Sequence, residues 1–145
     1  MIKINLVCVG KLKESYWREA QEEYVKRLSR FCKTEVREVP ERFTLKEEAE
    51  NILRVCRGHT IALAVEGTGS SSETFAKKLG ALCDRGEEIT FVIGSSCGLD
   101  ESVKRSAKEL ISFSELTFPH QMMRVMLLEQ IYRAFMILSG SVYHK

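Results

Sequence analysis

The sequence predicts an α/β domain built on a mainly parallel sheet. Three observations carry that expectation. Short apolar, β-branched runs at Ile2–Gly10, Thr60–Val65 and Ile89–Ile93 read as strands buried on both faces. Stretches of helical periodicity separate them, so strand and helix alternate. No internal segment is rich enough in Pro, Gly or Ser to be a linker, and residues 1–145 read as one domain.

In chain order, Ile2–Gly10 is the first strand and its glycine marks the turn that follows. Ser15–Cys32 is a helix with Tyr16, Ala20, Tyr24, Leu28 and Phe31 on one side. Thr34–Val39 alternates polar and apolar residues and is stopped by Pro40. Thr44 and Glu47 have capping-box spacing and open a helix to about Cys56. After the strand Thr60–Val65, residues Glu66–Ser72 read as a glycine- and serine-rich loop, with Ser70 and Glu73 capping a helix that ends near Asp84. The strand Ile89–Ile93 leads into the loop Gly94–Gly98 and a helix from about Asp100 to Glu109. Ile111–Phe113 is a short run of strand type. Pro119 suits the first turn of a long helix ending near Ser139 and Gly140.

Composition excludes several classes. A hydrophobic fraction of 44% with 29% charged residues argues against global disorder. Five cysteines, an odd number with no CxxC spacing, predict reduced thiols rather than disulfides or a zinc site, and with no secretory signal this predicts a cytoplasmic protein. The most apolar stretch, Met122–Leu138, is too short and too charged to span a membrane. It is nevertheless apolar nearly all round, which in a small domain predicts burial against a second copy, a homodimer. Glu129 and Arg133 within it have pairing distance, whereas Arg124 points the other way and requires a separate partner. The net charge of +2 announces no polyanion, but eight of the 22 basic residues fall within residues 1–33 against four of the 20 acidic ones. Lys26, Arg30 and Lys33, spaced four and three apart, fall on one basic stripe of the N-terminal helix.

Ligands of open α/β sheets bind beyond the carboxyl ends of the strands. Three segments qualify: Glu66–Ser72, Gly94–Gly98 and Ser114–Phe118. Gly67-Thr68-Gly69 lacks the third glycine of a dinucleotide fingerprint and the lysine of a P-loop. His59, His120 and His144 are too scattered for a metal site, and Cys97, in a Gly-flanked loop, is either a nucleophile or, as loop cysteines usually are, incidental. The terminal Tyr143-His144-Lys145 joins an aromatic, an imidazole and a cation just past a helix that must be buried, either a frayed end or a functional tail.

Together these segments resemble one family. The carriers are Val9-Gly10-Lys11-Leu12-Lys13-Glu14 with Tyr24-Val25-Lys26-Arg27-Leu28, Ala62–Gly67, Phe91-Val92-Ile93-Gly94 with Gly98-Leu99, Leu116–Met122, Leu128–Ala134, and Tyr143-His144-Lys145. The family is that of the SPOUT-class methyltransferases acting on N3 of a pseudouridine in 23S ribosomal RNA. The chain departs from it at Ser95, where the family commonly has a second glycine, and in a shorter connector around Arg42–Lys46. The resemblance implies a parallel-sheet SPOUT fold with a C-terminal trefoil knot, a homodimer, and S-adenosylmethionine as methyl donor without a metal. It implies cofactor contacts at Leu63, Gly94, Phe113, Ser114, Glu115, Leu116, Thr117 and Phe118, and catalytic roles for His144, Tyr143 and Lys145 beside the donor. The competing readings are a methyltransferase of the same class acting on another RNA base, a non-catalytic RNA-binding or ribosome-assembly factor on the same fold, which need not bind S-adenosylmethionine, and a flavodoxin-like mononucleotide binder, which would carry colour if it held flavin.

Overall fold

In the computed structural model, which describes residues 1–145, the N-terminal apolar run is β1 (Ile2–Val9). It is followed by α1 (Ser15–Leu28), β2 (Cys32–Val39), α2 (Leu45–Val55), β3 (His59–Gly69), α3 (Ser72–Asp84), β4 (Ile89–Ile93), α4 (Glu101–Ser106), β5 (Glu109–Ser112) and α5 (His120–Leu138). The strands form one sheet in the order β2-β1-β4-β3-β5, with every neighbouring pair parallel. The central strands β1 and β4 are the most continuously apolar because helices cover both their faces.

Alternation along β1 divides the core. Ile4, Leu6 and Cys8 face a layer made of α1, α3 and α5, while Val7 and Val9 face α2 and α4. On the first face α5 lies between α1 and α3 and supplies Leu127, Leu128, Ile131, Ala134 and Phe135 to the larger core. Arg124 is 1% exposed on that buried stripe. Its Nη1 donates to Glu38 Oε2 at 2.6 Å and its Nη2 to the Gly10 carbonyl at 3.3 Å, so it ties α5 to the ends of β2 and β1. That is the partner its position required.

Several boundaries differ from the sequence expectation. α1 ends at Leu28, where Ser29 caps it and donates to the Lys26 carbonyl, so Arg30 stands in a turn and Lys33 on β2. Lys26, Arg30 and Lys33 are therefore not a helical stripe. Tyr16, which periodicity groups on one side with Ala20, Tyr24, Leu28 and Phe31, is 59% exposed, while Leu28 is fully buried. The α3 cap is Ser71, whose Oγ accepts the Thr74 N–H, not Ser70. α4 stops at Ser106 because the chain must already be extended by Glu109 to pair with β3, so β5 begins two residues before the predicted strand.

Candidate active site

The largest change from expectation shapes the site. The segment read as a loop, Glu66–Ser72, is mostly the far end of β3. Leu63 and Thr68 both pair with Ile111 of β5, so residues 64–67 bulge out of the ladder between them. Gly67 closes the bulge where only a hydrogen fits: a Cβ would lie 2.7 Å from the backbone of Leu110 and Ile111. The bulge sends Val65 and Glu66 to the carboxyl edge of the sheet.

There they meet the segments that follow β4 and β5. Gly94 is buried, and a Cβ on it would collide with the Gly98 carbonyl, so the loop doubles back tightly, with Gly98 N–H on the Ser95 carbonyl at 2.9 Å. Gly98 takes a positive φ of 90°. Ser95 does not, so the absence of a second glycine imposes no strain. Its hydroxyl instead donates to the buried Glu48 at 3.3 Å, whose other oxygen accepts the Arg42 N–H at 3.0 Å. After β5, the Ser112 hydroxyl donates to the Ser114 carbonyl, and Ser114 Oγ accepts the Leu116 N–H at 2.9 Å.

These three segments and the start of α5 enclose a cavity of about 690 Å³, within the range of small-molecule sites. Leu63, Gly94, Phe113, Ser114, Leu116, Thr117 and Phe118 line it; Glu115 is exposed and does not. Ile93, the 95–99 loop, Glu66, Lys104, His120 and Met123 join the lining. Lys104 had no signal in the sequence, because α4 reaches the mouth only through the fold. Its ammonium lies 3.0 Å from Glu66 and 3.4 Å from Glu101. The hydrogen bond between Lys104 and Glu66 holds the Glu66 carboxyl below the usual range and raises the Lys104 ammonium. Leu116 and Val65 leave apolar side chains 71% and 61% exposed at the rim.

The tail is ordered elsewhere. The Tyr143 hydroxyl donates to Glu129 at 3.0 Å, and its ring meets Tyr132 edge-on at 5.1 Å. Burial, then the Glu129 hydrogen bond, raises the Tyr143 phenol. Arg133 donates twice to Glu129 Oε1, at 2.7 and 2.9 Å, and lies over the Tyr143 ring at 4.8 Å. His144 Nδ1 is 3.1 Å from Arg133 Nη1, and His144 Nε2 is 2.6 Å from Glu73 Oε1. A guanidinium can only donate and a carboxylate only accept, so these neighbours assign the Nε2–H tautomer. Lys145 is exposed. The Glu129–Arg133 pair that the i,i+4 spacing predicts thus also anchors the tail. Within one chain His144, Tyr143 and Lys145 do not line the cavity, since their contacts lie roughly 15–20 Å further along α5 than His120. The expectation that the tail sits beside the cofactor wall is therefore not met inside a single chain.

No helix is long and apolar enough to cross a membrane. Residues 2–144 match the family described as "Predicted SPOUT methyltransferase". "Ribosomal RNA large subunit methyltransferase H" of Caldicellulosiruptor saccharolyticus is 47% identical over 153 aligned residues, covering 98% of this chain and 99% of that one. The protein of the same description from Lactobacillus helveticus is 48% identical, covering 99% and 100%. Among solved structures, a probable methylase family protein from Haemophilus influenzae superposes with a TM-score of 0.61 at 16% identity, over 99% of this chain and 70% of that chain. A putative methylase family protein from Neisseria gonorrhoeae gives 0.53 at 12% identity, over 90% and 81%. These two likenesses concern the fold.

Proposed function

The chain belongs to the SPOUT methyltransferase family, and from that premise we propose that it transfers a methyl group from S-adenosylmethionine to N3 of a pseudouridine in 23S ribosomal RNA, on ribosomal particles in the cytoplasm. The observation that carries this reading is the cavity formed by the segments after β3, β4 and β5. Its chemistry fits the donor. Leu63, Phe113, Leu116 and Phe118 offer apolar walls for an adenine ring, and the backbone at Gly94 and 113–118 offers donors and acceptors for its edges. Membership of the family is the ground on which we also propose a trefoil-knotted C-terminal topology, against the general rule that chains avoid knots.

Bound S-adenosylmethionine supplies a methyl group already activated on a sulfonium, so the protein's task is alignment and removal of the imide proton from N3. His144 is the side chain suited to take that proton. In the docked tail its Nδ1 faces Arg133, so the ring must leave that contact before Nδ1 can act as a base. Tyr143 stacks on an RNA base, and Lys145 contacts phosphate.

The active assembly is a homodimer. Met122, Val125 and Met126 stand on the side of α5 away from its buried stripe and are only partly covered. A second copy on that face would close it and bring a partner tail toward the cavity that the chain's own tail does not reach. Incubation of purified ribosomal particles with the protein and S-adenosylmethionine, with a chelator present, should yield N3-methylpseudouridine by nucleoside mass spectrometry. Absence of any new methylated nucleoside on unmodified particles would sink the reading. Light scattering at micromolar concentration should report twice the 16.6 kDa chain mass, and a stable monomer would remove the interface.

A further inference from the structure

We infer that Glu66 and Lys104 form a receptor for the amino-acid end of the cofactor: Lys104 for its α-carboxylate and Glu66 for its α-ammonium. This rests on the proposal that the cavity holds S-adenosylmethionine. The cavity lining is apolar side chains, small polar residues and His120, apart from these two oppositely charged side chains, which lie 3.0 Å apart. A nucleoside offers no charges for such a pair to meet; a zwitterion offers both. Lys104 is the deeper of the two, with 16% of its side chain exposed against 54% for Glu66. The β3 bulge, closed by Gly67, presents Glu66 from one wall, and α4 presents Lys104 from another.

Inserting a zwitterion between them exchanges one ion pair for two. Neither charge is left without a counter-charge, so the cost of desolvating them is offset at every stage. Glu101, 72% exposed and 3.4 Å from Lys104, stays as an outer contact that keeps the ammonium near the mouth. The pair thus acts as a positioning device for the donor, while the nucleoside end is held by the glycine loop and the 113–118 segment.

The test compares two thioethers by calorimetry. S-adenosylhomocysteine carries the amino-acid end; 5′-methylthioadenosine has the same nucleoside without it. Lys104→Met or Glu66→Gln should weaken S-adenosylhomocysteine by about tenfold to a hundredfold, the loss of one charge-assisted contact, and leave 5′-methylthioadenosine within about twofold. Equal losses for both ligands would make the pair a structural strap, and no loss for either would make it a surface ion pair; both results overturn the assignment. Should a variant fold poorly, the unaltered protein gives a second measurement. Analogues of S-adenosylhomocysteine lacking only the ammonium or only the carboxylate should each bind more weakly, and equal affinity for all three overturns it. If the unaltered protein binds neither thioether nor S-adenosylmethionine, the cofactor reading itself fails, a result distinct from selective insensitivity to the amino-acid end.

Discussion

Around the cavity the chain presents mostly backbone, glycine and apolar surface, with Glu66, Lys104 and His120 among its titratable side chains; around the tail it presents a continuous cluster of carboxylate, guanidinium, phenol and imidazole. Gly94, Gly98 and the 113–118 segment shape a slot through main-chain geometry, with Ser95, Ser112 and Ser114 as local ties. Glu73, Glu129, Arg133, Tyr143 and His144 form one connected network of side chains. The difference assigns labour: a pre-shaped slot suits a ligand that brings its own reactivity, and titratable side chains suit the proton that must be moved. Four changes test whether that division holds.

The largest effect is expected from removing the tail. Truncation after Val142 deletes the aromatic, the imidazole and the cation but leaves α5 and every cavity-lining residue in place. Methyl transfer to ribosomal particles should fall by about a hundredfold or more, the scale of lost acid–base catalysis and positioning. Melting temperature and S-adenosylmethionine affinity should change little. His144→Ala alone should lose rate, and raising pH should restore part of it if His144 is the base, because the imide then ionises unaided. A pH-independent loss assigns His144 to positioning. Full activity in the truncated protein would erase the comparison.

Next comes the reverse experiment. Gly94→Ala puts a methyl group against the Gly98 carbonyl and forces the loop open. Calorimetry should show S-adenosylmethionine affinity reduced about tenfold or more, with the tail network intact; unchanged affinity would mean that the loop does not meet the ligand.

A smaller effect belongs to the cations near α1. Lys26 and Arg30 border a second, shallow depression beside Tyr132, and the Arg30 guanidinium carbon lies over the Phe31 ring, 4.6 Å from its centroid. Neutralising Lys26, Arg30 and Lys33 should weaken association with ribosomal particles and lower the slope of log affinity against log salt by about 2 to 3. An unchanged slope makes them a solvated surface.

The smallest effect is acid release of the tail. The hydrogen bond from His144 holds the Glu73 carboxyl below its ordinary value, so this contact favours the docked tail at pH above the free carboxylate range. The contribution disappears as pH falls through the lowered value. Amide hydrogen exchange at residues 141–145 should therefore accelerate in acid more than exchange in α5, after correction for intrinsic rates. Equal protection at all pH would remove Glu73 from the anchor.

Much of this architecture was legible in residue order, and the limits have physical causes. β4 and the extent of α5 followed from apolar runs, Pro119 and Gly140. The α1 end was overextended because Phe31 continues the helical period although Ser29 breaks the hydrogen bonding. Gly67-Thr68-Gly69 looked like a loop because its pairing with β5 is tertiary and depends on a bulge that no local pattern encodes. Most of the residues expected to hold the cofactor gather at one cavity, yet Glu115 turns outward, and Lys104 arrives from a helix too short to carry periodicity. The tail's anchors were hidden because Glu73 and His144 stand 71 positions apart.

The place of α5 between α1 and α3 also governs how the chain can fold. Arg124 reaches Glu38 and Gly10 across 86 and 114 positions, and the larger core stays open on one face until α5 arrives. Loop-closure entropy must be met before those contacts return any stability, so the rate of reaching the native state is limited by long-range search rather than by helix formation. Until that search ends, Leu6 and Phe91 on the central strands lie uncovered, and partly folded chains at high concentration are prone to stick to one another through the surface that α5 later covers.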